Sequence, residues 1–222
     1  MAATPRIARG PRIRAAPPQD KREAILDAAI RVFAKRGFFQ AQVADMARNA
    51  GVAAGTVYLY FKGKDDVLVS VFERTMREAI DEARALVATV DDPVERLRRL
   101  AHLHLGRLGR HRDLAVVFQV ELRQTTKFME QFSAAQLREY LGIIRDVIAH
   151  GQAVGRMRPE VSPTLAAKML FGALDEMATD WILSDRPRRL EGSADAVVDI
   201  FVRGIAPAST AGVEHAPDGP VA

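Results

Sequence analysis

Apolar positions recur along most of the chain at the three- and four-residue spacing of amphipathic helices. Ile25, Leu26, Ala29, Val32 and Phe33 mark a first helix of about four turns that runs to Gly37, with Asp20 and Glu23 as its capping pair. Val43, Met46 and Ala47 define a short second helix that stops at Gly51, and a third short helix spans Ala53 to about Tyr60. After Gly63, the series Val67, Leu68, Val71, Phe72, Thr75, Met76, Ile80 predicts a long fourth helix to about Val87. Asp92-Pro93-Val94-Glu95 is a helix start, with a capping side chain and Pro at the first helical position. The fifth helix then follows through Leu97, Leu100, Leu103 and Leu108 to Gly109. A sixth covers Asp113 to about Thr125, and Leu137, Tyr140, Leu141, Ile144, Val147 and Ile148 mark a seventh that ends near Gly151 or Gly155. Ser162-Pro163 opens an eighth with Leu165, Met169, Leu170, Leu174, Met177 and Trp181, and Ser193 opens a ninth with Val197, Val198, Ile200 and Phe201. No stretch reads as a strand, so the expected class is all-α.

Organisation follows from where this periodicity fails. Residues 1–19 are rich in Pro, Arg and Ala without an apolar period and read as a disordered basic tail. Arg6, Arg9, Arg12 and Arg14 stand there with no acidic residue before Asp20. The tail is either a solvated extension or an arm whose arginines follow DNA phosphates or enter the minor groove. Residues 20–65 form a small helical bundle, 66–205 a larger helical domain, and 206–222 a second disordered tail.

Composition narrows the partners. The 32 Lys and Arg against 28 Asp and Glu leave a net charge of +4, which favours a nucleic acid or an anionic surface. The chain has no cysteine, hence no disulfide framework and no thiolate metal site, as suits a reducing cytoplasm. No apolar run approaches the roughly 20 residues of a membrane span, and the Pro/Arg-rich start lacks the apolar core of a signal peptide. A soluble cytoplasmic protein with no membrane partner is expected.

The stretch Gln40 to Lys64 carries the chemistry. It reads as a helix-turn-helix whose second helix starts with the small residues Ala53, Ala54 and Gly55, where a DNA backbone can approach closely. Thr56, Tyr58 and Tyr60 offer hydroxyls toward phosphates, although the two tyrosines can equally pack the small bundle. Lys64 is either a phosphate-binding cation or an ordinary solvated lysine. A catalytic reading finds no support. His102 and His104 are two apart and point to different helix faces, whereas the His pair of a zinc helix sits four apart. Neither a phosphate-binding loop nor a Gly-x-Ser-x-Gly turn occurs. No cofactor and no metal site are expected.

The order helix, helix-turn-helix, long connecting helix and larger helical domain resembles the TetR family of bacterial transcriptional regulators. Ala47-Arg48-Asn49-Ala50-Gly51-Val52 and Gly55-Thr56-Val57-Tyr58-Leu59-Tyr60-Phe61-Lys62-Gly63-Lys64 carry that likeness. Leu114 to Gln124, Phe171-Gly172-Ala173-Leu174-Asp175-Glu176 and Trp181 are further similar to the FadR-like group of fatty-acid-degradation regulators within it. Gln40 and Gln42 suit that group, and Ala41 and Gln42 stand where the wider family usually carries a capping Thr or Ser before the second helix.

The resemblance implies a homodimeric repressor that binds palindromic operator DNA and is released by long-chain acyl-coenzyme A. The dimer would form through the last two long helices, where Gly172 permits close packing. DNA-binding candidates are Gln42, Val43, Ala53, Ala54, Gly55, Thr56, Tyr58, Tyr60 and Lys64. An acyl chain needs an apolar channel, for which Leu105, Leu108, Phe118, Phe128, Leu141, Ile144, Phe171 and Met177 are candidates. Coenzyme A needs cations at the mouth, for which Arg107, Arg110, Arg112 and Arg123 stand, with Glu121 and Gln124 alongside. Apolar residues at helical spacing also serve as plain core. The rival readings are a TetR-type regulator of an efflux or other catabolic operon with a different hydrophobic ligand, and a helical protein-binding module without salt-dependent DNA affinity.

Overall fold

Burial of the apolar stripes arranges the chain. The computed structural model describes residues 18–121, 133–184 and 188–207, less the side chains of Pro18, Gln19, Glu121, Ser133 and Ala134. Two compact units result, Met1–Val71 and Phe72–Ala222. The helices among the described residues are α1 (Pro18–Gln40), α2 (Val43–Ala50), α3 (Ala54–Tyr58), α4 (Lys64–Val87), α5 (Pro93–Arg110), α6 (Arg112–Val116), α7 (Ser133–Ala153), α8 (Pro163–Leu183) and α9 (Ala194–Ile205). The described residues contain no strand.

In the first unit α1 packs against α2, and α2 against α3. Ile25, Leu26, Ala29, Val32 and Phe33 of α1 are buried with Met46, Ala47, Val57, Phe61, Val67 and Leu68. The expected capping role of Asp20 is corrected. The helix begins at Pro18, so Asp20 lies inside its first turn, where a carboxylate still complements the helix dipole. Gly37, at φ 71° and ψ 160°, breaks the helical path near the end of α1. Gly51, at φ 69° and ψ 28°, closes α2 in the left-handed conformation that glycine adopts without strain. Val52 N donates to Ala47 O at 3.0 Å and Gly51 N to Arg48 O at 3.3 Å, which satisfies the carbonyls at the end of α2. Helix α3 is shorter than its apolar pattern predicts. Beyond Tyr58 the chain turns to bury Phe61, and Lys62 N is taken by Asp66 Oδ2 of α4 at 2.8 Å.

In the second unit α7 packs along α8, and α5 lies against α7, α8 and α9. The starts of two helices are as expected. The Asp92 side chain accepts from Glu95 N at 2.8 Å, and Ser162 Oγ accepts from Leu165 N at 3.4 Å. Fully buried Leu97, Leu100, Leu105, Ile144, Ile148, Met157 and Leu170 form the core. The sixth helix is not regular. After Val116 it continues as a π-helical turn over Val117–Glu121, an irregularity that apolar spacing does not announce.

Candidate functional site

The candidate DNA-reading face is built on a clamped α2. Asp45, buried at the start of α2, accepts from Arg36 Nη1 of α1 at 2.6 Å and from Arg48 Nη1 at 3.2 Å. Charge-assisted bonds of this kind are the stronger ones and fix α2 against α1. Gln42 precedes α2 in extended conformation without a side-chain cap, its carbonyl accepting from Asp45 N and Met46 N. In α3, Val57 turns fully into the core, which leaves Ala54, Gly55 and Tyr58 with Ala53 on the exposed side. Gln42 is likewise exposed, while Val43, Thr56 and Tyr60 are half-buried. Tyr58 keeps 60% of its surface exposed, so it does not pack the bundle.

Lys64 departs from the free cation expected. Its Nζ donates to Phe38 O at 2.9 Å and Phe39 O at 3.0 Å and lies 4.7 Å from the centroid of the Phe38 ring. Two of its three protons therefore serve the end of α1, and one remains. Exposed Phe39 and Leu59 on this unit were not singled out by the sequence, because their apolar character reads as core.

The second unit holds a cavity of about 70 Å³. Thr75, Met76 and Ala79 of α4 line it with His104, Arg107 and Leu108 of α5; Leu114, Phe118 and Gln119 follow, and Tyr140, Phe171 and Asp175 complete the wall. Of the expected channel residues, Leu108, Phe118 and Phe171 are on this wall. Phe118 stacks on Phe72 with ring centroids 5.5 Å apart. Leu105 and Ile144 do not line it. They are 0% and 1% exposed, and Leu105 is turned about 100° from His104, onto the core face of α5. Leu141 and Met177 are half-buried and also off the wall, Met177 because it is two residues beyond Asp175 on α8. Arg123, Gln124 and Phe128 lie outside the described residues, as does the side chain of Glu121.

Two of the four cations expected at the mouth, Arg107 and Arg112, are engaged within the chain. Arg107 lines the cavity and pairs with Glu78 at 3.0 Å and with Glu82. Arg112 donates to Ile182 O at 2.7 Å and stacks over Trp181, whereas Arg110 is exposed. The polar wall was largely missed by sequence reasoning. Gln119, on the π-helical turn, donates through Nε2 to Asp175 and accepts from Thr179 Oγ1 at 3.1 Å. Burial holds the His104 imidazole below its ordinary value of 6.5, with nearby Asp175 opposing this and Arg107 assisting it. Burial also pushes the Tyr140 phenol up. The available signal was the spacing of His104, Arg107 and Leu108, which places polar groups on an otherwise apolar face. His102 points elsewhere, with Nε2 3.1 Å from Asp195 Oδ1, as the two-residue spacing requires.

Known proteins share both units. Residues 25–71 match the family of bacterial regulatory proteins called the tetR family, and residues 72–204 match the C-terminal region of YsiA-like proteins. The fatty acid metabolism regulator protein of Bacillus subtilis is 35% identical over 82% of this chain and 93% of its own. The solved structure of the fatty acid degradation regulator FadR from Bacillus halodurans is 36% identical, with a TM-score of 0.78 over 82% of this chain and 98% of that one. FadR from Bacillus subtilis, solved in complex with stearoyl-CoA, is 34% identical, with the same TM-score and coverage. With both units matched and this similarity spanning most of its length, the chain belongs to the TetR family of bacterial regulatory proteins and is a homologue of the Bacillus FadR regulators.

Proposed function

We propose that the chain is a homodimeric repressor of fatty-acid-degradation genes, held on a palindromic operator and released by long-chain acyl-CoA. The carrying observation is the 34% identity, over 82% of the chain, to a regulator crystallised with stearoyl-CoA. Residues 20–65 form the DNA-binding domain in this reading and 66–205 the effector and dimerisation domain. It acts by binding rather than turnover, and in the cytoplasm, where its operator is. The reader face supplies Gln42, Val43, Ala53, Ala54, Gly55, Thr56, Tyr58, Tyr60 and the remaining proton of Lys64 as DNA contacts.

A release mechanism follows from two features of the second unit and from α4. Ligand pockets measure about 300–1,000 Å³, so a long acyl chain must widen a cavity of about 70 Å³. Met76 and Phe118, which stacks on Phe72, are the adaptable parts of its wall. Helix α4 lines the cavity through Thr75, Met76 and Ala79, and the same continuous helix begins at Lys64 in the first unit. Widening that displaces α4 favours a reader spacing other than the roughly 34 Å of one DNA turn. The ligand moves the equilibrium only by its difference in affinity for the two spacings.

A gel shift on the protein's own promoter with acyl-CoA of graded chain length is the test. Salt-dependent binding released by long chains and not by dyes is expected. Binding that no chain length releases would remove acyl-CoA as the effector while leaving the repressor.

A further inference from the structure

The cavity wall contains one buried group whose hydrogen bonding is incomplete. His104 Nε2 is buried and has no hydrogen-bond partner among the described residues. Its ring is held between Phe171, edge-on at 5.4 Å, and Tyr140 at 6.1 Å, so it has a defined position on the wall. Native chains leave few such atoms unpaired, because the lost hydration is not replaced. A neutral imidazole carries one N–H and one lone pair, and with the proton on Nε2 it donates a single hydrogen bond.

We propose that His104 Nε2 is the hydrogen-bonding subsite of this cavity and takes the carbonyl oxygen of an acyl thioester. This rests on the acyl-CoA reading above. The chemistry of the wall selects that atom from the ligand. A hydrocarbon chain offers no acceptor and is suited to Met76, Leu108, Phe118 and Phe171. A phosphate needs a cation to spare, and Arg107, the guanidinium on the wall, is already paired with Glu78 and Glu82. The thioester carbonyl is neutral, accepts one bond and adjoins the chain. The subsite thus sets how far the acyl chain enters, with the phosphates left outside.

A cycle of two ligands and two proteins tests this. Binding of a long-chain acyl-CoA and of the S-alkyl-CoA thioether of equal chain length is measured on the full-length chain and on His104→Phe. Operator binding and thermal melting check that the variant is folded. In the native chain the thioether is expected to bind on the order of fivefold to tenfold more weakly, the size of a neutral hydrogen bond. His104→Phe should bring the thioester down to the affinity of the thioether and leave the thioether within about twofold. Equal weakening of both ligands, or of neither, overturns the subsite and leaves acyl-CoA as effector. Failure of both to bind the native chain overturns the acyl-CoA reading itself. Should His104→Phe not fold, nitrogen NMR of the native His104 ring decides: the Nε2 resonance must move with the thioester and not with the thioether.

Discussion

At the residue scale, burial rather than residue type separates ornament from function. His102 and His104 are two positions apart on one helix, yet one sits among surface carboxylates and the other in a cavity wall. Because burial lowers the His104 value in the folded chain, the unfolded chain takes up its proton first as pH falls. The stability associated with a neutral His104 is therefore complete above the ordinary value of 6.5 and is lost progressively as pH drops below it. Urea midpoints measured at about pH 7.5 and about pH 5.5 should fall more for the native chain than for His104→Phe, because a proton that binds the folded chain less tightly than the unfolded one favours unfolding, by about 1.4 kcal/mol for each tenfold difference in proton affinity. An equal fall in both would show that His104 titrates freely.

At the element scale, α2 illustrates how a helix end missing one device is held by others. Gln42 provides no side-chain cap. Asp45 in the first turn, bonded to Arg36 and Arg48, and the left-handed Gly51 at the other end hold the helix in its place. Replacing Gln42 by Ser supplies the missing acceptor for the amides of the first turn and should raise the stability of the chain by about 0.5–1 kcal/mol. Chemical denaturation followed by circular dichroism measures it, and an unchanged midpoint would mean that the end of α2 is already satisfied. The π-helical turn after α6 is the other element with a consequence. It places Gln119 against Asp175, and so joins the α6 region to α8 across the cavity wall.

At the scale of the whole molecule, the second unit carries an exposed apolar face among the described residues. Leu165, Met169 and Ile200 are 56%, 60% and 75% exposed, large apolar groups that water does not favour. On α8 the exposed positions Leu165, Met169, Gly172 and Ala173 follow helical spacing, and a Cβ on Gly172 would meet nothing within 4 Å. On α9 Ala196, Ile200 and Gly204 do the same. Small and apolar residues in register on two neighbouring helices suit a second copy of the chain. In the homodimer proposed above, Met169→Glu combined with Ile200→Glu should give a monomer by sedimentation and abolish tight operator binding, because two linked readers bind far more strongly than one. A double variant that still sediments as a dimer would place the interface elsewhere.

Local rules made much of this protein readable from its chain. The three- and four-residue apolar period gives the helices, Asp92-Pro93 and Ser162-Pro163 their starts, and Gly51 the turn of the reader, because each depends on neighbours in sequence. The family was legible for the same reason, since its signature occupies one continuous stretch from Ala47 to Lys64. Tertiary structure decided what contacts distant in sequence decide. It turned Lys64 toward the carbonyls of Phe38 and Phe39, took Leu105 and Ile144 into the core, and grouped His104 with Gln119 and Asp175 around one cavity. An apolar period says which face of a helix is buried. Only packing says whether that face meets another helix or a space that a ligand can fill.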